Sequence, residues 1–444
     1  MVGIMERIPR LLQAIFGEVA DTAARTTGFI QRERGFSGSE FVRALVFGWW
    51  ACPRASIEVL ADGLGISGSA LQQRLTKSAS ETLWTVLKAA VELLAASRVV
   101  TIPLLSKFNG VYAEDCSNIG LPAEMADQFP GCGCHDGQSG KAALRLFVCY
   151  ELKTGTLQNL AVAQARGIDA VVAQQHAPAL PAGALRLRDM GFFDRQLLAQ
   201  DTAAGVFWIS RLPANLTVQP EEGSSLPVSK FLEQQPDHVD RLDCELSVGQ
   251  HGTKSPPLKC RFIAVRCPPE VAARRRQKVH ETARRKGKTA SQRQLILCDW
   301  TVLITNVPES KLSIREAWEL YCSRWQIELL FKRWKSLGGV QISKKWKAER
   351  VLCELYAKLL GMLVAHWFTL IRGGPLAGFS LTKAIHKIQQ FANCLAEVLA
   401  AGGSELLAQL VAQIGKVIER IPPQQKRTKH PSTRQRLFRP RLKA

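Results

Sequence analysis

The sequence predicts a mixed α/β fold: an α/β core, interrupted by a strand-rich insertion, between helical terminal regions. Near residue 110 the helical pattern gives way to short apolar runs typical of strands, and these alternate with helical stretches up to residue 212. Further strand-like runs fill residues 213–308, and strongly helical sequence follows. The length of 444 residues, with 46% hydrophobic residues, suffices for several domains and a sizeable core.

The charge balance indicates a polyanionic partner. Fifty-nine Lys and Arg residues against 38 Asp and Glu residues give a net charge of +21, which favours nucleic acid. The longest apolar run, 359–371, is too short to span a bilayer and contains His366, so we expect no membrane association. Scattered single cysteines and the lack of a signal-peptide pattern predict a cytoplasmic protein.

Residues 56–75, reading SIEVLADGLGISGSALQQRL, have the pattern of a helix-turn-helix. Gly63 and Gly65 permit the turn, and Ser67 is suited to cap a second helix. That helix is predicted to expose Gln72, Gln73 and Arg74 for contact with base edges. An ordinary helical hairpin fits the same pattern equally well.

The strand-like runs after residue 110 predict the order of a ribonuclease-H-like core. Three strands come first, then a helix near 169–175, a fourth strand, a helix near 195–200 and a fifth strand. In that fold the first and fourth strands are neighbours, so acids at their ends, Asp115 and Asp189, would meet. The five predicted strands read GVYAED (110–115), ALRLFVCYEL (143–152), LQNLAVAQA (157–165), ALRLRD (184–189) and VFWISRL (206–212).

Each of these two aspartates has a neighbouring rival. Glu114 precedes Asp115, but successive side chains of a strand point to opposite faces, so only one of them can serve. Asp194 follows Asp189, and we prefer Asp189 because it ends the strand whereas Asp194 belongs to the next helix. A lone aspartate at a strand end is usually a turn or cap residue.

Residues 318–337, reading WELYCSRWQIELLFKRWKSL, predict one amphipathic helix. At about 100° per residue, Tyr321, Arg324, Glu328 and Lys335 share one narrow stripe beside a separate apolar face. A carboxylate among cations suits a site that binds both a metal ion and a phosphodiester. The alternative is a surface helix with salt-bridged charges.

The spacing Tyr-x2-Arg-x3-Glu-x6-Lys, together with DCSNIGLP (115–122) and DMGFFD (189–194), resembles the insertion-sequence-four family of bacterial DDE transposases. The resemblance implies that Asp115, Asp189 and Glu328 are the catalytic and metal-binding triad. Such carboxylates suit two Mg²⁺ ions, for which Mn²⁺ is expected to substitute. The implied activity is cut-and-paste: cleavage at transposon ends and strand transfer into target DNA, by a homodimer in the synaptic complex near the bacterial nucleoid.

Several cations and one aromatic residue are candidate contacts to double-stranded DNA. Arg324, Lys332 and Lys335 would hold phosphates, and the resemblance adds Tyr321. Trp325 could stack on an unpaired base, although core packing is the commoner fate of a tryptophan. A strongly basic stretch of the insertion, more often a solvated face, is also predicted to contact phosphate. Its candidate residues are Arg274, Arg275, Arg276, Arg284, Arg285 and Lys286.

A zinc site at CGCH, 132–135, is rejected because no second ligand pair lies at a suitable spacing. The basic tail is expected to be disordered alone and to lie along DNA.

Two other functions remain open: a non-catalytic DNA-binding protein and a plain metal-dependent nuclease. The predicted divisions are a helical DNA-binding domain (1–100), the core's first part (101–212), the insertion (213–308), the core's second part (309–375), C-terminal helices (376–425) and the tail (426–444).

Overall fold

The computed structural model describes residues 3–32, 35–93, 101–131, 142–221, 223–249, 256–342, 347–376, 378–425 and 431–438. The CGCH sequence at 132–135 lies outside these residues, as do 426–430 and 439–444 of the predicted tail. Within the described chain the architecture is mixed α/β, with one large mixed sheet and helices on it and around it.

The N-terminal region is helical, and serine side chains determine where several of its helices begin. Ser37 forms a capping box, in which its hydroxyl accepts from the Glu40 amide and its own amide donates to the Glu40 carboxylate at 2.7 Å. Ser56 and Ser67 cap the two short helices of the predicted helix-turn-helix. The helices are α1 (Ile4–Ala14), α2 (Ala20–Thr26), α3 (Gly38–Ala51), α4 (Ile57–Asp62), α5 (Gly68–Arg74) and α6 (Lys77–Leu93), with a π-helical turn at Ile15–Val19.

Five strands and two helices follow in the predicted order. Both partners of the first strand are as predicted: it pairs antiparallel with the second strand and parallel with the fourth, and the fourth pairs parallel with the fifth. The spatial order of these strands is therefore 3-2-1-4-5. The elements are β1 (Val111–Gly120), β2 (Ala143–Glu151), β3 (Thr156–Gln164), α7 (Asp169–His176), β4 (Leu185–Arg188), α8 (Arg195–Ala203) and β5 (Phe207–Arg211).

The insertion extends the same sheet to ten strands. Its last strand pairs antiparallel with β5, so the full order is 3-2-1-4-5-10-9-8-6-7. The insertion is mixed and not mainly strand, because the basic segment forms a 17-residue helix that begins at Pro269. Its elements are β6 (Thr217–Pro220), β7 (Leu226–Pro227), α9 (Val228–Glu233), β8 (Arg241–Val248), β9 (Leu258–Arg266), α10 (Pro269–Arg285), α11 (Gln292–Ile296) and β10 (Trp300–Thr305).

The rest of the described chain is helical. The helix α14 is long and apolar enough to cross a membrane by length and composition, but 83% of its most apolar window is buried within the protein. Apolar side chains all round a helix are typical of a core position. The helices are α12 (Ile314–Ser323), α13 (Trp325–Ser336), α14 (Ala348–Leu370), α15 (Leu381–Gln389), α16 (Ala392–Ala401), α17 (Ser404–Glu419) and α18 (Thr433–Leu437).

The prediction of a disordered tail is wrong for residues 431–438. Ser432 forms a capping box with Gln435 and starts α18. The Gln326 side chain donates to the Thr433 hydroxyl at 2.8 Å, and Leu437 is 4% exposed. The cap, the hydrogen bond from Gln326 and the buried Leu437 hold residues 431–438 against α12 and α13. Their basic composition alone did not predict that these residues are ordered.

One hydrophobic core joins the N-terminal helices, the inner face of β1 to β5, helices α12 to α14 and the C-terminal helices. A second core lies mostly within the insertion and includes Leu198 of α8 and Trp208 of β5. A third covers the other face of the sheet beneath α7 and α8. The helix α14 contacts both α3 and α6, so the predicted boundaries near residues 100 and 375 cross a continuous core. The division into domains stays a prediction.

Candidate active site

Asp115 lies on β1, and Asp189 directly follows β4, the parallel neighbour of β1. The backbone pairing of β1 with β4 ends at Ala113 opposite Leu187, and each aspartate lies two residues beyond that pair. The expectation that Asp115 ends its strand is wrong, because β1 continues to Gly120 along β2 after β4 has stopped. The end of β4 still opens the sheet beside both carboxylates.

Backbone amides orient the two carboxylates. Asp115 Oδ1 accepts from the Cys116 amide at 2.8 Å, and Asp189 Oδ1 accepts from the Gly191 amide at 2.9 Å. Burial raises the pKa of Asp115 to about 6; Arg324 opposes this, and the charges of Asp189 and Glu328 add to it. A carboxyl with a raised pKa in a polar cavity is a candidate functional group.

The two rival acids are engaged elsewhere. Glu114 is fully buried on the opposite face of β1 and forms ion pairs with Arg186 and Arg188. Asp194 caps α8, accepting from the amides of Gln196 at 2.7 Å and Leu197 at 3.2 Å. Neither rival lines the cavity that Asp115 and Asp189 share.

The predicted single helix over 318–337 is two helices that meet at Arg324. The Arg324 amide donates to the Tyr321 carbonyl at 3.1 Å, and the Ile327 amide donates to the Arg324 carbonyl at 3.0 Å. These bonds over three residues tighten the helix locally, a feature that apolar periodicity does not reveal. Arg324 and Glu328 nevertheless stay in contact across the junction.

The Arg324 guanidinium bridges two of the predicted triad carboxylates. Its Nη1 lies 2.9 Å from Asp115 Oδ2, and its Nη2 is paired with Glu328 Oε1. Burial would lower the pKa of Arg324, but Asp115, Tyr321 and Glu328 outweigh it and the pKa is raised. Arg324 therefore stays a cation between the carboxylates.

The three predicted triad residues line one open cavity of about 730 Å³. Two cations and a phenylalanine of α13 complete one wall. As the described side chains stand, no three His, Cys, Asp or Glu residues converge closely enough to enclose a metal ion. The lining residues are Asp115, Cys116, Ser117, Asp189, Glu328, Phe331, Lys332, Lys335, Ser336 and Gln341.

The other predicted DNA contacts of this region differ in exposure. Lys332 is exposed and Lys335 half-buried, and burial lowers the pKa of Lys335. Trp325 is 53% exposed, so it is not a core residue. Tyr321 is only 8% exposed, and burial raises its pKa.

The predicted helix-turn-helix is present as α4 and α5, but only one of its three candidate side chains is exposed. Gln72 is half-buried and accepts a hydrogen bond from Arg350. Arg74 is half-buried, with its guanidinium 5.2 Å from the ring centre of Phe36. The prediction that all three are exposed is therefore wrong for Gln72 and Arg74, because other elements pack over this helix.

The basic segment divides into structural and exposed cations. Arg275 donates to the Trp300 carbonyl and the Thr301 hydroxyl, each at 3.1 Å, and Arg276 is paired with Asp299. These two residues hold α10 to β10, and the sequence offered no sign of it. The exposed candidates are Arg274, Arg284, Arg285 and Lys286.

Two groups of charged residues were not singled out from the sequence. Arg186 and Arg188 of β4 are both 3% exposed, and charges alternating with leucine in ALRLRD were the available signal. On the other side of α13, a second cleft of about 680 Å³ contains Arg333 and the docked tail residues Arg434 and Arg436. No spacing rule connects residue 333 with residue 434.

The family described as the transposase DDE domain matches residues 109–362, more than half of the 444 residues. The chain belongs to this family. This transposase is therefore an enzyme, and enzymes with this domain generally use divalent metal ions.

The relatives of this transposase include proteins of insertion sequences. It is 28% identical over 365 residues to the transposase for IS231B of Bacillus thuringiensis subsp. berliner, covering 77% of this chain and 75% of that one. It is also 28% identical over 275 residues to the transposase for IS1151 of Clostridium perfringens, covering 59% and 57%. A structure of the piggyBac transposase synaptic complex with hairpin DNA aligns over 97% of this chain and 87% of that one, with 10% identity and a TM-score of 0.46.

Proposed function

We propose that this transposase belongs to the insertion-sequence-four group and that Asp115, Asp189 and Glu328 are its catalytic metal ligands. The observation that carries the proposal is that these carboxylates come from β1, from the residue that follows β4 and from α13, and line one open cavity. The strand order 3-2-1-4-5 supports a ribonuclease-H-like core beneath them. The Tyr321, Arg324, Glu328 and Lys335 spacing supports the group assignment.

The donor set suits Mg²⁺. Carboxylate oxygens are the ligands that hard divalent cations prefer, and burial, with smaller contributions from the charges of Asp189 and Glu328, raises the pKa of Asp115 against the opposing effect of Arg324. A cation already lies between Asp115 and Glu328, in the form of the Arg324 guanidinium. Two bound ions would activate the attacking oxygen and stabilise the leaving oxygen.

Arg324 has a second role in this proposal. If Asp115 and Glu328 held metal, the Arg324 guanidinium would be able to turn to a DNA phosphate and bind it by a fork of two hydrogen bonds. Lys332 and Lys335 line the same cavity and add positive charge along the path of the backbone. Trp325, exposed next to Arg324, offers a face for an unpaired base.

The proposed reaction is cleavage at transposon ends followed by attack of the freed 3′ hydroxyl on target DNA. The proposed partner is double-stranded DNA, held by a homodimer in the synaptic complex, in the bacterial cytoplasm at the nucleoid. The net charge of +21 supports a DNA partner. A plain nuclease would share the site but release unjoined products, and a non-catalytic binding protein would give neither product.

The test is cleavage and joining of a duplex that carries the element's own terminal repeats, with Mg²⁺, by wild type and Glu328→Gln. Joined products that disappear in the variant, while DNA binding persists, are expected. A matched pair sharpens the test: Asp189→Asn should abolish the reaction, whereas Asp194→Asn keeps a capping oxygen and should retain it. Equal activity in Asp189→Asn and wild type would refute the proposed triad.

A further inference from the structure

The face of the sheet opposite Asp115 and Asp189 carries a buried network of four charges. Glu114 is fully buried, with Oε2 at 2.7 Å from Arg188 Nε and Oε1 paired with Arg186. Asp201 of α8 closes the network, with Oδ2 at 3.1 Å from Arg186 Nε and 3.5 Å from Arg188 Nη1. Both arginines are 3% exposed, so the network is out of contact with substrate.

The position of this network along the strands is its most informative property. Backbone pairing of β1 with β4 ends at Ala113 opposite Leu187. One residue further on, Glu114 and Arg188 are joined through their side chains. One residue beyond that lie Asp115 and Asp189. At the residue pair just before the two aspartates, the Glu114–Arg188 ion pair therefore takes the place of the backbone pairing between β1 and β4.

We propose that Glu114, Arg186 and Arg188, braced by Asp201, are positioning residues that set the separation of Asp115 and Asp189. This inference rests on the proposed function, in which those two aspartates hold metal. Without the side-chain pairs, β1 and β4 would be free to separate beyond Ala113 and Leu187. A metal site needs its carboxylates held close to the productive geometry by the residues around them.

A purely stabilising role explains this network poorly. Buried ion pairs lose much of their hydration, and replacing them by apolar residues of similar size is often neutral or favourable. Burial would raise the pKa of Glu114, but Arg188 and Arg186 outweigh it and the pKa is lowered. Glu114 is held between Arg186 and Arg188, so it specifies which side chains of β4 must face it.

The test measures Mn²⁺ binding to the full-length protein without DNA, by electron paramagnetic resonance, together with the unfolding midpoint. Glu114→Gln keeps the size of the side chain and removes its charge. The matched control is Asp243→Asn, which removes the charge from a half-buried aspartate paired with the buried Arg261, at 2.6 Å, in the same sheet but in the insertion. We expect Glu114→Gln to weaken Mn²⁺ binding by about tenfold. Asp243→Asn should lower the unfolding midpoint without changing Mn²⁺ affinity.

Asp189→Asn is measured alongside, and it distinguishes failure of the positioning role from failure of the proposed metal site. If Asp189→Asn weakens Mn²⁺ binding and Glu114→Gln does not, the positioning role is overturned and the proposed site stands. If Asp189→Asn has no effect, the proposed site falls and this inference falls with it. Should Glu114→Gln fail to fold, Asp201→Asn is measured in its place, because it keeps both Glu114 pairs. Weaker Mn²⁺ binding in Asp201→Asn than in wild type supports the role, and unchanged binding overturns it.

Discussion

At the scale of single residues, the candidate site is a balance of opposite charges. Arg324 contacts Asp115 at 2.9 Å and is paired with Glu328, so one guanidinium neutralises part of a carboxylate cluster. Its Nε is buried and makes no hydrogen bond to a described residue. Arg324 is therefore held by the two carboxylates that the proposed function assigns to metal and by Tyr321, whose ring centre lies 6.0 Å from its guanidinium.

Arg324→Gln is expected to raise Mn²⁺ affinity several-fold in the absence of DNA, because it removes a competing cation from Asp115 and Glu328. The same variant should lose most cleavage activity, since it lacks the fork that binds phosphate. Isothermal titration with Mn²⁺ and the cleavage assay measure the two effects. Lys332→Gln is the control: it lowers the charge of the cavity that Asp115 and Glu328 line, and Lys332 has no carboxylate partner among the described residues. Equal Mn²⁺ affinity in both variants would contradict this account of Arg324.

At the scale of elements, α14 organises the helical part of the molecule. Gly361 lies against α3, where an added Cβ would be 2.9 Å from Trp50 Cβ. On the sheet side, His366 is buried, and its Nε2 donates to the Gly155 carbonyl at 2.6 Å. Both contacts require α14 at a fixed distance from its neighbours.

Gly361→Ala is expected to destabilise the fold by about 1–3 kcal/mol, because the new methyl group would overlap the Trp50 side chain and α14 would have to move from α3. Denaturant unfolding measures the change. Gly120→Ala is the control, since an added Cβ there meets no atom within 4 Å. Similar losses in both variants would show that close packing at Gly361 is not the cause.

His366 is expected to make stability depend on pH. Burial lowers its pKa from 6.5 to about 4, the Gly155 carbonyl opposes this, and nearby Arg333 adds to it. Between these two values the unfolded state binds more protons, so stability falls as pH falls. The contribution lost between about pH 7.5 and about pH 5 is roughly 2 kcal/mol.

Urea unfolding of wild type and His366→Gln at the two pH values measures this contribution. The variant should lose less stability on acidification than wild type, by the amount that His366 supplies. His386→Gln, at an exposed position of α15, should behave as wild type. Equal pH dependence in wild type and His366→Gln would show that His366 titrates normally in the folded protein.

At the scale of the whole molecule, the net charge of +21 is spread over parts with different roles. Arg275 and Arg276 bind the protein itself, whereas Arg284 and Arg285 at the end of α10 are exposed. Only exposed cations can exchange counterions for DNA phosphates, so composition overstates the charge available to DNA.

The double variant Arg284→Gln and Arg285→Gln is expected to weaken DNA binding and to reduce the slope of log affinity against log salt by about two. Fluorescence anisotropy across a salt series measures the slope. A charge-matched control replaces Lys416 and Arg420 by Gln near the end of α17, where both are exposed. An equal reduction of this slope in both double variants would indicate a general charge effect and not contact of DNA with α10.

The sequence by itself determined the order of elements, the separation of Asp115 from Glu114 by strand alternation and membership of the DDE transposase family, because these depend on local periodicity and short spacings. Only the tertiary structure decided that helices α12 and α13 divide at Arg324, that Arg275 and Arg276 are structural, and that residues 431–438 dock. Each of these depends on partners distant in sequence. Local pattern records which face of an element is apolar but not which charged group of another element lies opposite.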